Sequence, residues 1–338
     1  VSDDRVFVFG RDDDREIVRA LDLATGKALW SAHYAAPYTM NPAATGHGKG
    51  PKSTPVVHRG RLHTLGIAGI LSAFEARTGA LLWRKDSGGA PDFGTAMSPL
   101  VDGAHVIAHV GGGDTGALTA FDAATGAVVW RWNGDGPAYA SPIIAAVGAR
   151  PAIVTQTRHR AVALDPGSGS LRWSAPFTTP YEQNSVTPVA VRDGIVLAGL
   201  QQPTTLWSIP ESGAAIRRWE SRDATMYMST PVASDGRLYG FSDRRRGQLV
   251  TLDAATGKTL WQSDGRLGDN ASVWASATHL LVLTTDSTLI VFEKKPDGAL
   301  AERARHTVAD TPTWASPAFT RRGVLIKDAS AVALWTWA

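Results

Sequence analysis

An all-β chain of tandem four-stranded units is predicted from three observations. A short phrase, a small polar residue followed by glycine and shortly afterwards by tryptophan, returns along the whole length. Ser/Thr-Pro pairs return at matching places ahead of it. Between these marks the residues fall into short apolar or alternating runs broken by turn chemistry, the signature of strands.

The phrase reads ALDLATGKALW ending at Trp30, AFEARTGALLW at Trp83, AFDAATGAVVW at Trp130, ALDPGSGSLRW at Trp173, SIPESGAAIRRW at Trp219 and TLDAATGKTLW at Trp261. A seventh copy, VFEKKPDGALAER, keeps Asp297 and Gly298 without tryptophan. Successive tryptophans lie about 42 to 53 residues apart, the period of a repeat architecture. Within residues 97–132, strand A starts at Ser98-Pro99, strand B covers His105–Val110, strand C covers Ala117–Asp122, and strand D runs from Ala127 to Trp132. Glycine gives the C–D turn its positive φ, and the preceding Thr or Ser and nearby Asp can bond the turn amides. Each tryptophan then enters strand D, where packing on the neighbouring unit buries a large apolar surface.

Strand A openings recur at Ser53-Thr54-Pro55, Ser98-Pro99, Ser141-Pro142, Thr187-Pro188, Thr230-Pro231 and Ser316-Pro317, where proline at the start of a strand costs no ladder bond. The seventh unit has Ser272-Val273-Trp274 instead. The first unit lacks strand A and the last stops after strand C, so two short units and six complete ones make eight. An eight-bladed β-propeller filling residues 1–338 as a single domain is the prediction, with seven blades sharing strands as the alternative.

Composition narrows the function classes. The chain is 43% hydrophobic with 34 glycines and 19 prolines, as suits a turn-rich β protein. No apolar run is long enough for a membrane helix, so no membrane span is expected. A net charge of +3 gives no argument for nucleic acid. Cysteine is absent, which excludes disulfides, thiol catalysis and thiolate metal sites within these residues. Val1-Ser2-Asp3 begins partway into a unit, and a trimmed or processed N-terminus is the expectation, with any signal segment ahead of it.

In its Ser/Thr-Pro openings and Asp-x-x-Thr-Gly-x-x-x-Trp phrase the chain resembles the PQQ-like repeat β-propellers, including the BamB-like outer-membrane assembly lipoproteins. The resemblance implies a periplasmic or otherwise extracytoplasmic protein. The family also contains quinoprotein alcohol dehydrogenases with PQQ and calcium in a central funnel, commonly much longer and often with adjacent cysteines beside the cofactor. This chain lacks both the length and the cysteines, so no cofactor is expected, PQQ included.

In such a blade the D–A and B–C loops emerge at one end and the Thr-Gly turns at the other. The loop end is where the repeats diverge, and diverging surface loops carry function. Its longest member, Ser31 to Ser53, reads as a structureless rim loop with a basic tip and holds Tyr38, Asn41, His47, Lys49 and Lys52. Further D–A loops contribute Phe93 and Tyr139, then Tyr181, Gln183 and Asn184, then Tyr227, Asn270 and Trp314. B–C loops contribute Arg158, His159 and Arg245, two basic clusters able to attract an anionic ligand or acidic partner. Aromatic surfaces mixed with hydrogen-bonding groups suit a small-molecule pocket, and equally suit capping of inner strands. No HExxH, short-spaced zinc pair or nucleophile elbow is present, so no catalytic or metal-ligating residue is assigned. Two readings stay open: a monomeric, non-catalytic binding propeller engaging a protein or a small polar or anionic ligand through the 31–53 loop face, and an enzyme of quinoprotein or carbohydrate-active type working in the funnel.

Overall fold

The computed structural model describes residues 1–148, 150–210 and 214–336. They form eight antiparallel sheets taken in strict chain order, six of four strands with a three-stranded sheet at each end of the chain. These are the blades of an eight-bladed β-propeller. In blade 3 the strands are Leu100–Asp102, His105–Val110, Ala117–Asp122 and Val128–Trp132, close to the spans drawn from the sequence. The first blade has strands B, C and D, Arg5–Asp12, Arg15–Asp22 and Ala28–Ala35. The last has A, B and C, Ala318–Thr320, Gly323–Lys327 and Val332–Thr336. Helical structure among the described residues is limited to short 3-10 turns, and no helix is long and apolar enough to cross a membrane.

The chain divides into two compact units, Val1–Ile143 with Ile153–Arg172 and Ile144–Ala152 with Trp173–Ala338, and blade 4 contributes to both. In each unit the apolar core lies between successive blades rather than within one. In the first, Phe9, Val18 and Tyr34 of blade 1 pack on Leu62, Ile70 and Phe74 of blade 2, and Ile107, Leu118 and Trp130 of blade 3 pack on Ile153, Val162 and Leu164 of blade 4. In the second, Val196, Leu206 and Trp219 meet Leu238, Val250 and Leu252. Central strands are therefore covered on both faces, as in Ile70–Glu75, and read as continuous apolar runs.

The repeated phrase is two halves of one contact. The Trp30 indole N–H donates to the Ala76 carbonyl of the next blade at 3.1 Å, and its ring lies over Gly79, where a Cβ would come within 2.5 Å of it. Trp83 binds the Ala123 carbonyl and covers Gly126, Trp130 binds the Pro166 carbonyl and covers Gly169, and Trp219 binds the Ala254 carbonyl and covers Gly257. The turn glycine thus answers two demands, a positive φ and the room for an indole. A β-bulge immediately ahead of each of these tryptophans sets its direction, as where Ala120 pairs with Trp130 but Phe121 pairs with Val128. The fifth copy's turn, residues 211–213, lies outside the described residues, so the turn that would receive Trp173 is not among them.

The turn's aspartate works locally. Asp122 Oδ1 accepts from the Ala124 and Thr125 amides and from Thr125 Oγ1, and Asp253 does the same with Ala255 and Thr256. The Ser/Thr of three strand A openings has a use that the reading by proline alone did not anticipate. The Thr54 amide donates to Ser98 Oγ at 2.9 Å and the Ser98 amide to Ser141 Oγ at 2.9 Å; in the second unit the Thr187 amide donates to Thr230 Oγ1 at 3.1 Å. These hydroxyls join the openings of neighbouring inner strands, which do not pair with one another.

Candidate functional site

The loop ends of the two units hold different arrangements. In the first unit, the segment after Trp30 departs from the structureless loop expected of it. Strand D of blade 1 continues to Ala35, and Pro42–His47 forms a 3-10 turn whose N-terminus is capped by Asn41 Oδ1, accepting from the Ala43 amide at 3.0 Å. Proline at the first position favours this turn because it has no amide to satisfy. The segment is pinned further by Lys52, whose Nζ donates to the Phe93 carbonyl at 2.8 Å. Burial lowers the Lys52 pKa; burial, and then the Lys52 charge, lower that of His47.

Phe93 joins this group to Tyr139. Their ring centroids are 5.9 Å apart, tilted by 57°, and the Phe93 amide donates to Tyr139 Oη at 3.3 Å. Burial pushes the Tyr139 hydroxyl pKa up, as it does that of Tyr38. The Tyr38 hydroxyl lies so close to Gly94 that a Cβ there would come within 2.8 Å of it. The first unit therefore brings Tyr38, Lys52, Phe93 and Tyr139 together around the Phe93-Gly94 backbone, while Lys49 stands exposed at the tip.

A second group centres on Asp135. Its side chain is 6% exposed. Its carboxylate accepts from Thr157 Oγ1 at 2.6 Å and from the His159 amide at 2.8 Å, and lies 2.9 Å from His159 Nδ1. Burial pushes this carboxyl up, but the bonds from Thr157 and His159 outweigh it and hold it below the usual aspartate range. The Asp135 backbone carbonyl is 3.2 Å from His109 Nε2. Burial drives the His109 pKa down to about 4, against a weaker upward pull from Asp135. Arg158 reaches across to Asp114 at 2.9 Å.

Sequence reasoning missed a third feature of this unit. Glu16 is fully buried, accepting from Tyr34 Oη at 2.7 Å and from the Ile67 amide at 2.7 Å. Arg84 lies 3.9 Å over the Tyr34 ring. Burial raises the Glu16 pKa against the opposing pull of these bonds and of the Arg11 and Arg84 charges. A Cβ at Gly66 would sit 1.9 Å from the carboxylate, so Gly66 is what lets blade 1 clasp the B–C loop of blade 2. The available signal was the cross-strand register, which sets Glu16 directly opposite Tyr34.

In the second unit, Tyr227 Oη donates to Gln183 Oε1 at 2.5 Å, and Ser185 Oγ donates to the Tyr227 carbonyl at 2.8 Å. Asn184 is turned inward and fully buried, its Nδ2 donating to the Phe177 carbonyl at 2.7 Å. Tyr181 points the other way, 80% exposed with φ 59°. Asn270 is buried and its carbonyl accepts from the Thr285 amide. Arg245 sits in the Arg244–Arg246 turn and Trp314 is partly exposed. Gln183 and Tyr227 are thus in direct contact, whereas Asn184 bonds within its own loop and Asn270 receives an amide of the B–C loop of blade 7.

Among the described residues no three His, Asp or Glu side chains converge as an ion site requires. They supply no carboxylate cluster to hold the calcium of a quinone site.

A family model described as outer membrane protein assembly factor BamB matches residues 14–263. The structure is similar to BamB from Moraxella catarrhalis, with a TM-score of 0.69 and 16% identity over 98% of each chain. It is similar also to the quinohemoprotein alcohol dehydrogenase of Comamonas testosteroni, with a TM-score of 0.66 and 15% identity over 96% of this chain and 69% of the other. A computationally designed protein, Ika8, aligns over 99% of this chain and 97% of its own, with a TM-score of 0.67 and 11% identity. No curated protein matches the chain in sequence. At these identities the structural likenesses speak for the propeller fold alone. The match of the family model across most of the repeats goes further, and by it the chain belongs to the BamB family of PQQ-like repeat propellers.

Proposed function

We propose that this chain is a non-catalytic binding scaffold of the cell envelope, working outside the cytoplasm and engaging a protein partner through the loop end of its first unit. The observation that carries this reading is the engagement of that end's ionic and polar groups in holding its own loops. Lys52 ties the 31–53 segment to Phe93, and Asp135 gathers Thr157 and His159. Groups held this way give a preformed surface, which lowers the ordering cost of association. Tyr38, Phe93 and Tyr139 supply aromatic contact area of the kind enriched in protein interfaces. Membership of a family named for outer-membrane assembly supports a protein partner and an envelope location.

The test replaces residues 37–50 with a short Gly-Ser linker, leaving strand D and Lys52 intact. Affinity for purified outer-membrane assembly proteins is then measured by surface plasmon resonance. A loss of about tenfold or more is expected, since a rigid aromatic surface holds most of an interface's energy. Unchanged affinity overturns the reading. The likeness to a quinohemoprotein alcohol dehydrogenase motivates a second reading, an enzyme, checked by turnover on an alcohol panel with added PQQ and calcium. Turnover there would replace the scaffold reading.

A further inference from the structure

From the loop end of the second unit we infer that blade 6 carries an arginine platform that docks an acidic segment of a protein partner, a surface separate from the 31–53 segment. The platform is made of two loops. The B–C loop of blade 6 contains Arg244, Arg245 and Arg246, and the loop from blade 6 to blade 7 contains Arg266. All four side chains are exposed.

The two loops are zipped by backbone bonds. The Arg266 amide donates to the Arg245 carbonyl at 2.9 Å, the Leu267 amide to the Gly247 carbonyl at 3.1 Å, and the Gly268 amide to the Arg246 carbonyl at 3.2 Å. The approach is so close that a Cβ on Gly247 would lie 2.0 Å from the Gly268 carbonyl, and one on Gly265 would lie 2.7 Å from the Arg245 Cβ. Below, Leu267 packs against the apolar layer between blades 6 and 7. Thr225 Oγ1 donates to Asp243 at 2.5 Å, tying the base of the B–C loop to the loop before it.

Two features distinguish the platform from ordinary surface charge. Arg245, Arg246 and Arg266 take positive φ values of 49°, 59° and 64°, a left-handed conformation that non-glycine side chains seldom adopt. A strained backbone persists only where its surroundings over-determine it, and here it fixes where three guanidinium groups leave the surface. Secondly, among the described residues none of the four guanidinium groups has a carboxylate within ion-pair distance, whereas exposed Arg217, Arg222, Arg303 and Arg305 all do. The platform is held ready with its charges unengaged.

Arginine, with its planar fork, matches carboxylates in pairs. Exposed Asp264 and Asp269 lie in the same loop as Arg266 and break the positive field. A uniformly anionic surface such as a membrane would meet repulsion from them, while a segment with spaced carboxylates would not. A patterned acidic stretch of a protein is the occupant that fits.

The test uses the full chain and a fluorescent peptide of alternating glutamate and glycine, read by anisotropy, with phosphatidylglycerol vesicles as a second arm. Arg245→Glu with Arg266→Glu should weaken peptide binding by about tenfold or more, and binding should fall as ionic strength rises. Arg245→Lys with Arg266→Lys, which keeps charge and removes the fork, should give an intermediate loss, and it carries the test if the charge-reversed protein fails to fold. Lys258→Glu, on the Thr-Gly turn of the same blade, should change nothing, and neither should replacement of residues 37–50. The inference is overturned if the peptide does not bind, if the arginine variants bind as the parent does, if Lys258→Glu loses as much, or if vesicles bind and the peptide does not. A loss caused by replacing residues 37–50 would also overturn it, by assigning the peptide to the first unit.

Discussion

The two ends of a blade use the same carboxylate chemistry over different distances. At the turn end, Asp122 accepts from residues two and three further along and stays at the surface. At the loop end, Asp135 is almost fully covered and takes its bonds from Thr157 and His159, 22 and 24 residues away. A bond closed within three residues can be copied with the sequence that encodes it, so the turn repeats. A bond closed across a blade depends on two loops changing together, so each loop end is individual.

The largest effect expected from breaking this contrast is at the turn end. Gly79→Ala places a methyl group against the Trp30 indole at a positive-φ position and should destabilise by about 3 kcal/mol. Gly26→Ala, also at positive φ but with nothing within 4 Å, should lose only about 1 kcal/mol. Urea midpoints of the two variants measure the indole contact directly, and equal losses would show that the backbone alone requires glycine.

At the loop end the effect depends on pH. His109 is neutral in the folded chain, with its pKa driven from 6.5 to about 4. A lowered histidine pKa favours the folded state above the unfolded value, and that stability drains away as pH falls from 6.5 toward 4, on the order of 3 kcal/mol in total. Asp135, held below the usual range, loses its contribution in a lower window, as pH falls through its depressed folded value. Buried His63, driven to about 4 in the same way, declines in the same window, so His109→Gln should shrink the first decline by about half and leave the second. Urea unfolding at about pH 7, 4 and 2.5 separates them, and a first decline undiminished by the substitution would assign it to other groups.

The smallest change is expected at Asp122→Asn. Its partners are local and solvated, and thermal unfolding should shift only slightly downward. A drop as large as that of Gly79→Ala would mean the turn carboxylate matters to the neighbouring blade after all.

Much of the scaffold was legible because its causes are local. Strands B and C of blade 3 fall on the residues read from turn chemistry and alternation, and the short end blades follow from the missing opening of the first and the missing fourth strand of the last. What the tryptophan rests on was less legible. The phrase showed glycine and indole in one unit, but the indoles of Trp30, Trp83, Trp130 and Trp219 meet the glycine of the next. The hydroxyls of the Ser-Pro openings escaped notice for a similar reason, since their partners lie 43 or 44 residues away. The bonds that join the loop-end residues were the least legible. Lys52 and Phe93, Glu16 and Ile67, and Asp135 and His159 are joined by tertiary distance alone. The Ser31–Ser53 segment seemed unstructured because a proline-started 3-10 turn has no hydrophobic period to betray it.

The indole-on-glycine contact has a direction, since each of these blades offers a plug on its outer strand and a socket on its own turn. That is head-to-tail complementarity within a single chain. A segment copied whole carries both halves, so duplication lengthens such a protein without inventing an interface. Amino-acid change in the loops can then proceed blade by blade while the joint between copies stays the same. The contact that fastens these blades is also what makes a gene segment of this kind interchangeable with its neighbour.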